Sequence, residues 1–214
     1  MKEGWGEEKV REDVCEGIAG QSPESKNDHP EGEGLPISQG KKELLSVVSA
    51  IVTAKLTGPL DLELLHQNLP GTEMSTAHWL KYRMPEDNRY AAFYKSGKFL
   101  LTGKGLLEKQ DELCETILTR IKEAGFDLEI VEVKVSNIVC KAKTELTSSL
   151  ESMYENFDSA DVEYEPEQFP AMICKLYGVA FLLFSTGSMI ITGAKTVKEA
   201  EEATEKFVAR LSLM

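Results

Sequence analysis

The sequence predicts an α+β fold in which two copies of one unit form a single curved antiparallel sheet, with helices gathered on one face. Three observations carry the prediction. The string FSTGSMIITGAK (Phe184 to Lys195) nearly repeats YKSGKFLLTGKG (Tyr94 to Gly105), each with an aromatic, then Ser/Thr-Gly, an apolar run and Thr-Gly. An internal repeat of this kind governs every local assignment. Two β-branched runs, VVSAIVTAKL (Val47 to Leu56) and KVSNIVCKAK (Lys134 to Lys143), stand at matching places and read as strands. Each copy also closes with a long stretch whose apolar residues recur at helical spacing.

Taken in order, the first copy continues from its opening strand into a short helix, LDLELLHQN (Leu60 to Asn68). The second does so with ELTSSLESMYENF (Glu145 to Phe157), where Leu146, Leu150, Met153 and Phe157 share a helical face. Two strands follow, WLKYRM and AAFY in one copy, AMICKLY and FLLF in the other. A Ser/Thr-Gly turn and a further strand (FLLTG, MIITG) complete hairpin signals. In the closing helices Leu106, Leu113, Ile117 and Ile121 line one face, with Ala124-Gly125 as a C-cap, and Ala200, Ala203, Phe207 and Leu211 line the other. Each unit is therefore strand, helix, about four strands, helix. The repeats span residues 44–126 and 127–214.

Residues 1–43 hold eleven Asp/Glu against six Lys/Arg, with seven Gly, three Pro and only isolated apolar residues. A segment so composed buries too little surface to offset its ordering entropy, so a disordered acidic tail is expected. The whole chain carries a net charge of −12. The broad basic footprint of a generic nucleic-acid binder is missing, which predicts few phosphate contacts and a shallow salt dependence without excluding an apolar or locally basic contact face.

Cys15, Cys114, Cys140 and Cys174 show no CxxC spacing and read as small buried hydrophobes in a reducing compartment. No signal segment or membrane-length apolar run appears, so a soluble intracellular protein is expected, with no membrane partner. His29, His66 and His78 have no ligand or triad spacing, and no phosphate-cradling loop is evident. No metal, cofactor or catalytic residue is expected, and the chain is not read as an enzyme.

Helices on one face leave the other sheet face bare, and a large bare face of Val, Ile, Leu and Phe marks a binding surface. EYEPEQFPAMICKL followed by FLLFSTGSMIITGAK, within the two-copy layout, resembles the TATA-box-binding protein family of archaeal type, over about residues 46–214. The resemblance implies a saddle: a pseudo-twofold sheet of about ten strands, helices on the convex back, and a concave underside on the minor groove of A·T-rich promoter DNA. It also implies two intercalating phenylalanines in the second half, matched by Phe169 and Phe184, and a central asparagine that donates to A N3 and T O2, matched by Asn137. Val139, Leu182, Ile190 and Thr192 match residues packing on sugars and base edges, and Lys175 matches a phosphate contact. Spacings of two, 137 with 139, 182 with 184, 190 with 192, put each pair on one strand face. Glu165 and Glu167 fall in the loop where the family contacts the B-type initiation factor.

The first copy departs from that pattern. Aligning the opening strands pairs Ala50 with Asn137 and Val52 with Val139, so the first asparagine is absent. Tyr94 replaces one wedge and Ala77 the other. Trp79, two residues on, is either a substitute wedge or core, and core is favoured. Val52, Leu100 and Thr102 keep the contact pattern; Arg83 and Lys98 keep the basic positions, while Ser188 replaces the second copy's lysine.

The function implied is a general initiation factor that bends promoter DNA and recruits a B-type factor and, through it, RNA polymerase, in the cytoplasm of an archaeal cell or the nucleus of a eukaryote. The alternative is a divergent paralogue that regulates transcription or binds protein, with weak or altered DNA binding.

Overall fold

The two β-branched runs become the two longest strands and the seam of the molecule. In the computed structural model, which describes residues 45–76 and 78–214, the first repeat runs β1 (Leu45–Leu56), α1 (Leu62–Asn68), β2 (Thr72–Thr76), β3 (Trp79–Arg83), β4 (Tyr90–Tyr94), β5 (Lys98–Gly103) and α2 (Leu106–Glu123). The second runs β6 (Ile130–Lys143), α3 (Leu150–Tyr154), β7 (Val162–Glu163), β8 (Ala171–Leu176), β9 (Val179–Phe184), β10 (Ser188–Ala194) and α4 (Val197–Leu211). All ten strands form one antiparallel sheet in the order β2-β3-β4-β5-β1-β6-β10-β9-β8-β7, and the β1–β6 ladder joins the repeats. The expected acidic tail and Ala77 lie outside the described residues.

Strands β2 and β7 escaped the sequence reading. Their residues (Thr72, Glu73, Ser75; Glu163) are largely polar, because an edge strand satisfies only one ladder and need not alternate. The short helices are narrower than their apolar spacing suggested, because side-chain caps start them late. Asp61 accepts from the backbone N–H of Glu63 and Leu64 at 3.0 and 3.1 Å, and Ser149 accepts from that of Ser152. The helix read over 145–157 thus shrinks to one short turn-and-a-half, with Leu146 and Phe157 packing from its flanks.

Both long helices lie on one face of the sheet. Leu113, Ile117 and Ile121 of α2 pack with Leu80, Tyr82, Phe93, Phe99 and Leu101; Ala203, Phe207 and Leu211 of α4 pack with Met172, Phe181, Leu183 and Ile191. Phe181 and Phe207 stack with centroids 4.1 Å apart. The faces named from periodicity for these two long helices are buried. Cys114, Cys140 and Cys174 are buried too, and burial pushes their thiols up to about 11, 11 and 12.

The repeated Ser/Thr-Gly has a plain cause. Gly97 (φ 76°) and Gly187 (φ 77°) close the β4–β5 and β9–β10 turns, donating to the carbonyls of Tyr94 and Phe184 at 3.0 and 2.9 Å. Their own carbonyls accept from Leu56 and Thr144 at 2.8 and 2.9 Å, tying each turn to a central strand. A Cβ at either glycine would collide with a backbone carbonyl oxygen, of Gly58 or Thr144. Gly187→Ala is therefore expected to cost about 3 kcal/mol or more in chemical denaturation. Gly178→Ala, at φ 81° but with open space around its Cβ, should cost only about 1–2 kcal/mol. Because burial disfavours the thiolate, Cys114, Cys140 and Cys174 should resist alkylation in the folded protein even at pH 9 and label fully on unfolding, as peptide mass spectrometry would read.

Candidate nucleic-acid interface

Strand alternation sorts the sheet into a helix-covered face and a bare one. The bare face carries Trp79, Lys81 and Arg83 from β3, Tyr90, Ala92 and Tyr94 from β4, and Lys98, Leu100 and Thr102 from β5, none of them in the two core clusters. From the second repeat it carries Asn137 and Val139 of β6, Ala171, Ile173 and Lys175 of β8, Leu182 and Phe184 of β9, and Ile190 and Thr192 of β10.

The second half of this face is apolar and tightly ordered. Register places Leu182 opposite both Ile173 and Ile190, a row across three strands, and Leu182 is left only 5% exposed. Ile173 belongs to this row, though the sequence reading passed over it; its spacing of two from Lys175 was the available signal. Phe169 reaches the same face from the turn before β8. The N–H groups of Gln168 and Phe169 both donate to the Glu165 carbonyl at 2.9 Å, and the turn brings the Phe169 ring edge-on to Phe184, centroids 6.3 Å apart at 62°. Glu165 and Glu167 stand exposed on that turn.

Asn137 is oriented by the backbone. The Gly193 N–H donates to its Oδ1 at 2.7 Å, and since an N–H can only donate, the amide oxygen is fixed there. Its Nδ2 donates to Thr192 Oγ1 at 3.1 Å and keeps a second hydrogen. Lys175 lies exposed and pairs with Glu163 at 3.1 Å, while the Arg83 guanidinium sits 5.2 Å from the Tyr90 ring centroid and donates to the Asn88 carbonyl.

Two expectations about the first half need correction. Val52 is 1% exposed inside the helix-covered core, opposite Leu101, and does not reach the bare face; Ala50 is equally buried. The ladders superpose the repeats one residue away from the pairing that the sequences suggested. β5 pairs Leu101 with Val52, and β10 pairs Ile191 with Cys140, so Val52 corresponds to Cys140 and Ser49 to Asn137. With a side-chain period of two, that single step exchanges the faces. Ile51 is the bare-face residue in place of Val52. Trp79, expected in the core, stands half-buried on the bare face directly across from Tyr94, with Lys81 Nζ 5.3 Å from its ring centroid. It occupies the place of Ala171 across from Phe184.

The face is also more basic than the overall charge suggested. Lys55, Lys81, Arg83, Lys98, Lys134, Lys141, Lys143 and Lys175 project from it against Glu73, Glu132 and Glu163. The acidity sits instead on the helices, as at Glu108, Asp111, Glu112 and Glu115 of α2 and Glu199, Glu201, Glu202 and Glu205 of α4. Among the described residues, no group of His, Cys, Asp and Glu is placed to hold a metal, and no helix is long and apolar enough to cross a membrane.

The chain is 31% identical over 175 residues to TATA-box-binding protein C of Halobacterium salinarum, covering 78% of this chain and 97% of that one. The chain belongs to the TATA-box-binding protein family. TATA-box-binding protein 2 of Haloferax volcanii is 29% identical over 82% of this chain and 97% of its own. The family model described as transcription factor TFIID, or TATA-binding protein, matches residues 132–214, which is the second repeat. The first repeat, where Ser49, Trp79 and Tyr94 stand, lies outside that match. The solved structure of Methanococcus jannaschii TBP superposes with a TM-score of 0.68 at 26% identity, covering 79% of this chain and 99% of that one. The fold is thus the family's saddle, with helices on the convex side, and the family is one of general transcription factors.

Proposed function

We propose that this protein is an archaeal-type initiation factor that binds the minor groove of A·T-rich promoter DNA, bends it by aromatic insertion, and recruits a B-type initiation factor and, through it, RNA polymerase. One observation carries the reading above the rest. Phe169 and Phe184, from separate segments, meet edge-on beside the apolar row Ile173, Leu182 and Ile190 on a face that no helix covers. Minor-groove architectural proteins, this family among them, insert such apolar wedges between base steps and unstack them. A phenyl ring suits the task because it restores lost stacking and brings no polar atom to desolvate. Leu182, Ile190, Val139, Leu100 and Ile51 would pack on sugars and base edges, and Asn137 would donate to groove acceptors. Lys175, Arg83 and Lys98 would neutralise phosphates, and Thr102 and Thr192 would line the centre. Glu165 and Glu167, on the turn that holds Phe169, are the proposed contact for the B-type factor. The protein would act on the chromosome.

A regulatory paralogue with altered DNA binding is the second reading, favoured by the first half, where Ser49 and Tyr94 stand in the places of Asn137 and Phe184 and Trp79 stands in that of Ala171. A gel-shift and FRET-bending assay on a TATA duplex against a scrambled one, with and without the B-type factor, separates the two. Specific bent binding is expected; its absence even with the partner would leave the paralogue. Phe184→Ala should abolish the bend and weaken binding about tenfold, since base–aromatic stacking is worth roughly 1–3 kcal/mol. Tyr94→Ala should change the bend little, and equal losses from both would refute an insertion led by the second half. Several of the eight cations face acidic neighbours, so log Kobs should fall with log salt at a slope of about −3 to −5. A slope near zero would exclude phosphate contact by this face.

A further inference from the structure

At the centre of the bare face the two repeats differ in one hydrogen-bonding group. β1 and β6 carry matching bulges, marked by register shifts between Val47 and Ser49 and across Ser136, and each bulge precedes the residue in question, Ser49 in one repeat and Asn137 in the other. Their environments are related. Thr102 and Thr192 are the neighbouring hydroxyls of the adjoining strands, and Ile51 and Val139 are the apolar residues two places on.

Their hydrogen-bonding capacities are not the same. The Asn137 oxygen is taken by the Gly193 N–H and one amide hydrogen by Thr192 Oγ1, so the amide shows a single hydrogen to anything lying over the sheet. A donor held there matches the acceptors that A·T and T·A both present in the minor groove, and it opposes the N2 amino group that G·C adds. Ser49 is smaller, and its hydroxyl both donates and accepts by rotating. It serves an A·T pair as donor and accepts from the amino group of guanine, with more room beneath it.

We propose that Ser49 sets base-pair selectivity: the half of the site under the first repeat tolerates a G·C pair near the centre, whereas the half under Asn137 requires A·T. The preferred duplex is then A·T-only on one side of its centre and mixed on the other. The inference rests on the minor-groove reading above.

Binding to a twofold-symmetric A·T duplex tests it, measured by fluorescence anisotropy, with one G·C pair introduced in turn at each of the first three positions from the centre. Since the protein can reverse on a symmetric site, a single G·C pair is always free to lie under Ser49. At the contacted position it should raise Kd less than about threefold. A second G·C pair at the symmetric position must fall under Asn137 and should raise Kd at least about tenfold, within the usual range for one mismatched pair. In Ser49→Asn the first G·C pair alone should already cost about tenfold. In Asn137→Ser the doubly substituted duplex should bind within about tenfold of the A·T parent, so the test survives if either variant fails to fold. Equal losses for the first and second G·C pair at every position, with the A·T duplex bound well, would overturn this inference alone. Failure to bind the A·T duplex at all would overturn the minor-groove reading with it.

Discussion

The ladder between β1 and β6 is the constraint on which the rest of the structure depends. It makes one ten-stranded sheet out of two repeats, and its bulges decide which residues of the central strands face the helices and which face outward. Neither repeat could offer a continuous bare face alone. Through Leu56 of β1, and through Thr144 just past the end of β6, the same strands also hold the glycine turns whose sequence first betrays the repeat. The side-chain pair Thr53 and Ser136, 2.6 Å apart across the ladder, binds the repeats on the bare side as well.

Charge is divided by the fold and not along the chain. The helices carry the acidic excess on their solvent faces while the sheet turns lysines outward on the opposite side. A protein with a net charge of −12 can therefore approach a polyanion on one side and repel it on the other, which orients the encounter. Burial of Leu113, Ile117 and Phe207 under the sheet makes that division possible, since it commits the helices to one face.

The two repeats have kept their core and diverged on their bare face. Leu80, Phe93, Phe99 and Leu101 are matched by Met172, Leu183, Met189 and Ile191 in the same ladders, apolar for apolar. On the bare side Ile173 and Leu182 have Lys81 and Ala92 as counterparts, while Phe184 is answered by Tyr94 and Ala171 by Trp79. Core positions answer to packing density, which both repeats share. Bare-face positions answer to whatever lies on them, and the two halves need not meet the same thing.

Much was legible in the sequence by itself. Apolar periodicity determined the long helices and their buried faces, β-branched runs determined the central strands, and the repeated Ser/Thr-Gly located the turns. Spacings of two were enough to put Leu182 with Phe184 and Ile190 with Thr192 on one face, because those strands are short and regular. Only the tertiary structure decided the central strands and the edges. The similar letters of the central strands align one residue away from their true correspondence, which only the ladders with β5 and β10 fix, so Val52 went to the core and Ser49 took the place of Ala50 as the counterpart of Asn137. Strands β2 and β7 exist because a neighbour offers them a ladder, and Trp79 faces outward because its pairing with Tyr94 sets the parity of β3. Hydrophobic patterning records how often a residue is buried; which of two apolar faces receives the helices is decided by strand pairing over long distances in the chain.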